Sequence, residues 1–251
     1  SAQRSADRRL FTRIGLVPNL SSLLQNLTII YGLFTFVSFL LFNIAGKTVF
    51  DSICLSMATI STGGFSSQGR VLGEGAPILL MITAFMFMAG MGYYVHLSWM
   101  SARGRRKTIF DIENITYLIL TFSIPVIGTV ILLSEGTPFG RSLLNSTFTT
   151  ISAMTTTGFM VEGMGQWPDS MKLFLMILML MGGASLSLSS GFKVQRTFLL
   201  IKGFLAEVRR SSHPNAVVTL RRGDGTYSDK ALESANMSFF YLFGLIGITI
   251  G

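Results

Sequence analysis

The protein has 251 residues, of which 49% are hydrophobic and only 13% are charged, and its mean hydropathy is +0.56. Soluble domains carry about 25% charged residues, so this composition excludes an ordinary soluble enzyme and a disordered chain. The single cysteine, Cys54, excludes a disulfide-stapled secreted domain. The chain begins at Ser1 without a targeting peptide and stops at Gly251 inside an apolar run. We therefore expect an internal piece of a longer chain.

The net charge of +8 is distributed unevenly. Of the 20 basic residues, four precede the first apolar block, four lie between the second and third blocks, and eight lie between the fourth and fifth. This asymmetry is the one that the positive-inside rule expects of a cytoplasmic face. We therefore predict a multi-pass plasma-membrane protein whose basic loops lie in the cytoplasm, against anionic membrane lipid. No basic stripe with interleaved aromatic residues occurs, so we expect no nucleic-acid partner.

Five apolar blocks follow one another along the chain. A helix that spans a membrane needs about 20 mostly apolar residues, and the first three blocks meet this length. Pro125 lies within the third and predicts a kink rather than a break. The fourth block is interrupted by small residues, and we expect the fifth to be truncated. The blocks cover residues 27–45, 77–100, 115–133, 173–188 with an apolar continuation, and 237–251.

Two shorter apolar runs lie between the blocks, at residues 49–61 and 142–156. Each is too short to span a membrane, and each ends abruptly in Gly and Phe. Non-helical backbone at membrane depth is tolerated only where protein or a water-filled cavity surrounds it. We therefore predict two re-entrant loops, each a short helix followed by a Gly-containing strand. The predicted fold class is an all-α membrane protein of tandem helix–re-entrant pore loop–helix repeats, as in potassium channels.

The two runs are related by an internal repeat with an offset of 94 residues, since residues 50–65 align with 144–159. A repeat that coincides with matching hydropathy indicates a duplicated structural unit. Asp51 and Asn145 are predicted to cap the two short helices. The predicted divisions are a cytoplasmic lead-in (1–26), two pore repeats (27–108 and 109–210), a cytoplasmic hairpin connection (211–235) and the first helix of a further repeat (236–251). The identical pairs are Ser52 and Ser146, Thr62 and Thr156, Gly64 and Gly158, and Phe65 and Phe159.

The repeat is strongest where each short helix ends, in two segments that we name the first pore turn (residues 61–65, STGGF) and the second pore turn (residues 155–159, TTTGF). A partly dehydrated cation needs a ring of oxygens, which backbone carbonyls supply. Glycine permits a positive φ, and threonine adds hydroxyl oxygens and stiffness. The C-terminal end of the preceding helix also favours a cation. One such turn would indicate an ordinary surface turn, but two in matching register favour a pore.

At this level of detail the chain resembles the Trk/Ktr/HKT superfamily of potassium transporters, of the TrkH type. The resemblance covers essentially the whole chain and would make it the second and third of four pore repeats. It implies potassium as the transported ion, with Gly64 and Gly158 as filter glycines. The implied ion ligands are the carbonyls of Ser61, Thr62, Gly63, Gly64, Thr155, Thr156, Thr157 and Gly158. The motifs that carry it are ATISTGGFS (58–66), MTTTGF (154–159), Trp167-Pro168, MGGA (181–184) leading to GFK (191–193), and HPNAV (213–217).

The fourth block is interrupted at residues 182–193, which we name the central loop. Glycine and serine are poor helix residues, so this segment is either a broken helix or a small-residue packing face. The resemblance implies a gate beneath the filter here, although Leu186 and Leu188 replace small residues of the family pattern. Lys193 either snorkels to lipid headgroups or repels or orders cations near the inner vestibule. The predicted gate residues are Gly182, Gly183, Ala184, Ser185, Ser187, Ser189, Ser190, Gly191 and Lys193.

Other candidate sites are weak. His96 has no acidic partner in any apolar block and is expected to be a packed or interfacial residue rather than a proton relay. No catalytic dyad or metal-ligand cluster occurs, so we expect no enzyme activity, no covalently bound cofactor and no metal other than the transported potassium ion. Two alternatives stay open: a subunit of a channel with two pore repeats per chain, and a non-conducting regulatory membrane protein.

The longest basic connection predicts a small β-hairpin with its turn at residues 223–225. This hairpin would offer a docking surface in the cytoplasm. The resemblance implies a homodimer and a cytoplasmic nucleotide-binding regulatory subunit that docks on this face.

Overall fold

A computed structural model describes residues 20–67, 71–72, 75–100, 112–161, 163–212, 221–222, 225–226 and 237. Within these residues the fold is almost entirely helical. The helices are α1 (Leu20–Ile44), α2 (Val49–Ile60), α3 (Ala76–Gly90), α4 (Tyr93–Met100), α5 (Ile112–Ser134), α6 (Phe139–Met154), α7 (Asp169–Met181) and α8 (Val194–Ser212), with a 3₁₀ turn at Met164–Gln166. The strands are β1 (Val71–Leu72), β2 (Met160–Val161), β3 (Arg221–Arg222) and β4 (Gly225–Thr226).

The helices form two units with the same order of elements. In each, a long helix packs against a short helix, which is followed by a turn and a third helix: α1, α2 and α3 in the first unit, and α5, α6 and α7 in the second. The units meet where α3 packs on α6 and where β1 pairs in parallel with β2. This arrangement confirms the predicted fold class, and its only strands within the described residues are two-residue ladders.

In the part of the chain that the structure describes, two helical segments, Leu24–Ile44 and Glu113–Ser134, are long and apolar enough to cross a membrane by length and composition. Large apolar side chains on α1 and α5 stay exposed, including Ile29, Phe36, Phe122 and Val130. Such a surface suits a lipid environment rather than water. The buried core lies between the two units and contains Phe42, Phe85, Phe148, Phe159 and Trp167.

The second apolar block does not form the single spanning helix that we predicted for residues 77–100. It is divided at Met91 and Gly92 into α3 and α4. A Cβ on Gly92 would lie 2.6 Å from the Tyr94 ring and 3.1 Å from the Ser185 carbonyl oxygen. The prediction was wrong because the apolar character continues through the break, so hydropathy gives no sign of it.

The predicted caps of the short helices need correction. Thr48, not Asp51, is the N-cap of α2: its hydroxyl oxygen accepts from the Asp51 N–H at 3.1 Å, and the same hydroxyl donates to the Asp51 carboxylate at 2.8 Å. Hydrogen bonds from Ser67 and Thr48 hold the pKa of the Asp51 carboxyl below its usual range. Asn145 lies inside α6, because that helix begins at Phe139 after Pro138 and is about one turn longer than α2.

Three further predictions can be compared with the structure. Helix α5 continues through Pro125, as expected. The fourth block is a broken helix, because α7 ends at Met181 and α8 begins at Val194. The hairpin is present as the antiparallel pair of β3 and β4, although residues 223–224 lie outside the described residues. The fifth block lies outside them as well, apart from Met237.

Candidate functional site

The two pore turns have the same backbone hydrogen bonds. After α2, the N–H groups of Gly63 and Gly64 both donate to the Ala58 carbonyl, at 2.8 and 3.4 Å. After α6, the N–H groups at the equivalent positions 157 and 158 both donate to the Ser152 carbonyl, at 2.9 and 3.4 Å. These bonds satisfy carbonyls that would otherwise be unpaired at a helix C-terminus. The repeat seen in the sequence is therefore a repeat of backbone geometry.

The pore turns also share an unusual handedness. Gly64 and Gly158 have φ values of +66° and +83°, and two positions earlier Thr62 and Thr156 have φ values of +53° and +56°. A β-branched residue with positive φ is an outlier. Such backbone strain concentrates at functional sites, and here it occurs at the same position of both repeats.

The first pore turn lies directly against the second. A Cβ placed on Gly64 would overlap the Thr157 carbonyl, so only glycine allows this approach. Gly158 differs, since a Cβ there would meet nothing within 4 Å. The predicted filter glycines therefore share a conformation but not an environment.

The threonine hydroxyls of the second pore turn are hydrogen-bonded within the protein. Thr155 is fully buried; its Oγ1 donates to the Ile151 carbonyl at 2.7 Å and lies 2.8 Å from Thr157 Oγ1. The Ser152 hydroxyl donates to the Phe159 carbonyl at 2.8 Å. These bonds hold the extended segment in place, while Phe159 is buried in the core. In the first pore turn the equivalent Phe65 is 70% exposed.

The two ends of the central loop, where it leaves α7 and enters α8, lie close together. The Phe192 N–H donates to the Leu180 carbonyl at 2.9 Å, and the Val194 N–H donates to the Gly183 carbonyl at 3.1 Å. A Cβ on Gly191 would lie 2.8 Å from the Gly182 Cα, a distance that only glycine tolerates. Both glycines have positive φ. The small residues of this segment therefore make a compact excursion between α7 and α8, and not a helical packing face.

The central loop lies beneath both pore turns. Thr62 Oγ1 donates to the Leu188 carbonyl at 3.3 Å, and the Ser190 N–H donates to Thr156 Oγ1 at 2.8 Å. The two threonines are equivalent in the repeat and are the two strained residues described above. Since α2 and α6 end next to them, the loop lies at the end of the site to which the short helices point. The structure thus brings the sequence-predicted filter and gate residues together.

Lys193 lies inside this assembly. Its ammonium group donates to the Ser189 carbonyl and lies 3.4 Å from the Ser187 carbonyl oxygen and from both serine hydroxyls. The loop itself therefore supplies oxygen partners for the ammonium group, which favours a role within the loop over snorkelling to lipid headgroups. Lys193 and Leu186 both have positive φ, at +77° and +57°.

Glu113 is a residue of the site that sequence reasoning missed. It lies in the first turn of α5 and is only 4% exposed. One carboxylate oxygen accepts from the Ser185 N–H of the central loop. The other lies 3.3 Å from the Tyr94 hydroxyl, whose proton is shared with Asn114 Oδ1 at 3.1 Å. In the sequence, Glu113 is only an acidic residue just before an apolar block. Such a residue usually lies in the first turn of a helix and faces solvent, so the pattern did not indicate a site.

His96 is buried, with Nε2 2.9 Å from the Met88 carbonyl oxygen and its ring edge-on to Phe34 at 5.0 Å. This is the packed histidine that we expected. Among the described residues, no group of three His, Cys, Asp or Glu side chains is placed to hold a metal ion.

Comparison with known proteins now decides the family. Residues 12–250 match the family model described as "TrkH: Cation transport protein". The chain belongs to the TrkH family. It is 30% identical over 236 residues to the Trk system potassium uptake protein TrkH of Escherichia coli K12, which covers 92% of this chain and 48% of the relative.

Two other similarities agree with this assignment. The chain is 26% identical to the Trk system potassium uptake protein TrkG of E. coli K12, over 93% of this chain and 48% of that protein. The crystal structure of the potassium transporter TrkH from Vibrio parahaemolyticus superposes with a TM-score of 0.83 at 27% identity, over 94% of this chain and 51% of that one. The chain thus spans about half the length of the TrkH-family relatives that it matches.

Proposed function

We propose that this TrkH-family chain supplies two pore repeats of a protein that takes up potassium ions across the plasma membrane. The observation that carries the proposal is the equivalence of the two pore turns, which share hydrogen bonds and positive-φ positions and lie against each other. The names of the relatives, which are potassium uptake proteins, support the choice of ion.

In the proposed mechanism, backbone carbonyls of residues 61–64 and 155–158 replace part of the hydration shell of the ion. The C-terminal ends of α2 and α6 point toward these residues and lower the electrostatic cost of a cation there. The positive φ at Thr62 and Thr156 directs the chain out of each short helix and into the pore turn. The chemistry is dehydration and passage of the ion, without covalent steps and without a bound cofactor.

The central loop is the proposed gate. It lies at the deep end of the pore turns, hydrogen-bonded to Thr62 and Thr156, so an ion that leaves the turns on this side meets it first. The positive charge of Lys193 within the loop adds an electrostatic barrier to a cation. Conduction therefore requires the loop to move or to rearrange its hydrogen bonds.

The proposed setting is a multi-pass protein with basic connections in the cytoplasm. The hairpin connection, residues 211–235, is the proposed docking surface for a cytoplasmic nucleotide-binding regulatory subunit, and the functional unit is a homodimer. The names of the relatives, as members of a Trk system, are consistent with a membrane subunit that works with partners.

The test is rubidium uptake by potassium-transport-deficient cells that express the full-length gene product containing these 251 residues. We expect uptake in the parent and a loss of at least about tenfold, or a loss of preference over sodium, in Gly158→Ser. Gly136→Ser is the matched control, because Gly136 also has a positive φ, +80°, and open space around it but lies outside the pore turns. Both substitutions carry a similar backbone strain of about 1–2 kcal/mol.

Equal uptake and selectivity in parent and Gly158→Ser would contradict the filter assignment. An absence of uptake in the well-expressed parent would favour a non-conducting regulatory membrane protein. Pores formed by two chains with two repeats each would indicate the channel-subunit alternative.

A further inference from the structure

We propose that Glu113 is a positioning residue that holds the central loop in its place beneath the pore turns. This inference rests on the gate role proposed above for that loop. Of three consecutive loop residues, the outer two are bonded to the break between α3 and α4 and the middle one to Glu113. The Ala184 N–H donates to the Gly90 carbonyl at 3.0 Å, and the Leu186 carbonyl accepts from the Tyr93 N–H at 3.4 Å. Between them, the Ser185 N–H donates to the Glu113 carboxylate.

The two outer contacts join backbone to backbone, whereas the middle one uses a side chain. The break between α3 and α4 leaves the Gly90 carbonyl and the Tyr93 N–H without a partner inside a helix, and the central loop supplies one for each. Two interrupted helices thus satisfy each other's backbone groups, which membrane depth requires. Glu113, which belongs to α5, accepts the hydrogen bond from Ser185, the residue between the two that bond to the break.

Burial makes this contact effective. A buried carboxylate is costly unless hydrogen bonds satisfy it, and Glu113 is 4% exposed. The Ser185 N–H donates to one oxygen, while the Tyr94 hydroxyl shares its one proton between the other oxygen, at 3.3 Å, and Asn114 Oδ1, at 3.1 Å. If the loop leaves, the oxygen bonded to Ser185 loses this donor while α4 and α5 still surround the side chain. The docked position of the loop therefore has a hydrogen bond that the undocked position lacks. Such a difference shifts the equilibrium between the two positions toward the docked one.

The charge of Glu113 also acts on the far end of the loop. The Lys193 ammonium lies within electrostatic reach of the Glu113 carboxylate and is bonded to the Ser187 and Ser189 oxygens. The Glu113 carboxylate and the Lys193 ammonium carry opposite charges and attract each other, which favours the docked loop. Glu113 therefore restrains Ser185 directly and the Lys193 segment through its field.

The experiment uses the full-length gene product with Ser189→Cys as a reporter, because Ser189 is only 3% exposed while the loop is docked. The rate of modification by an aqueous thiol reagent is measured together with rubidium uptake. We expect Glu113→Ala to raise the modification rate about tenfold, the effect of losing a hydrogen bond to a charged group. Glu113→Gln keeps an oxygen acceptor but loses the charge, so an intermediate rate is expected. Asp169→Ala removes a carboxylate that is 98% exposed and should leave the rate unchanged.

A modification rate in Glu113→Ala equal to that of the parent, or an equal rise in Asp169→Ala, would overturn the proposal. Should Glu113→Ala fail to fold, Glu113→Gln decides, since it weakens the contact with the Ser185 N–H without opening a large cavity; an unchanged rate in Glu113→Gln would overturn the proposal. The thiol readout is independent of transport. A rise in reactivity with no change in uptake would retain Glu113 as the anchor and reject the gate role. Uptake that depends on Gly158 together with unchanged reactivity would reject only the role of Glu113.

Discussion

At the scale of single residues, two threonines have a double role. Thr62 and Thr156 adopt positive φ where each short helix ends, and their hydroxyls are the atoms that meet the central loop. The same residue thus sets the direction of the pore turn and forms the contact below it. The sequence predicted that these hydroxyl oxygens face a cation, whereas in the structure they are hydrogen-bonded to the central loop.

Replacing this hydroxyl should loosen the central loop without removing the pore turn. Thr156→Val keeps the branched shape and leaves the Ser190 N–H without its acceptor. Since this bond lies at an exposed site, water compensates in part, and a cost of about 1 kcal/mol, or about fivefold, is expected. The readout is the modification rate of a Ser187→Cys reporter. Thr156→Ser restores the acceptor and should return the rate to that of the parent, and a rate in Thr156→Val no higher than in Thr156→Ser would contradict the role of the hydroxyl.

At the scale of elements, the two short helices begin differently although they end alike. Helix α2 has a side-chain cap at Thr48, whereas α6 begins after Pro138 and has no side-chain cap. The alignment of Asp51 with Asn145 pointed to matching caps, but capping depends on where the chain enters the helix. The hydroxyl-lined faces that pack inside the protein do match, because Ser52 and Ser146 are both buried.

Removal of the cap should affect α2 alone. Thr48→Ala is expected to lower the free energy of unfolding by about 1 kcal/mol, measured as a lower thermal midpoint of the full-length protein in detergent. Thr48→Ser keeps the oxygen and serves as the control, with a midpoint within error of the parent. Equal destabilisation by both substitutions would mean that the methyl group, and not the cap, carries the effect.

At the scale of the whole molecule, the two repeats are joined by close backbone contacts. Gly90 ends α3 of the first repeat, and a Cβ there would lie 2.5 Å from Thr155 Cγ2 and 2.6 Å from the Tyr117 hydroxyl oxygen, both in the second repeat. The Gly90 carbonyl also accepts from Ala184. One position therefore contacts the second pore turn, α5 and the central loop.

Adding one methyl group at Gly90 should test the close packing between the two repeats. Gly90→Ala is expected to destabilise the protein by about 1–3 kcal/mol, since both neighbours are buried and overpacking moves backbone. Gly32→Ala in α1 is the matched control, because a Cβ there meets nothing within 4 Å, and alanine favours a helix. Thermal unfolding in detergent and rubidium uptake measure the two variants. Equal thermal midpoints in Gly90→Ala and Gly32→Ala would contradict the role of Gly90 in close packing between the repeats.

Much of the architecture followed from local patterns. Hydropathy indicated α1 and α5, the short apolar runs indicated α2 and α6, and the 94-residue offset indicated two equivalent turns. The Gly and Ser content of residues 182–193 predicted the interruption of the fourth block. These features are readable because helix length, apolar content and glycine tolerance are properties of a segment and its immediate neighbours.

The remaining features depend on residues far apart in the chain. The break at Met91 and Gly92 persists because its free backbone groups pair with Ala184 and Leu186. Glu113 gains its role only when α5 lies beside the central loop, and Lys193 turns inward only because Ser187 and Ser189 supply oxygens there. By itself, the sequence determined where the helices and pore turns lie, since these depend on local composition. The tertiary structure decided what holds the loop beneath them, because buried polar groups take whichever partners the packing brings near.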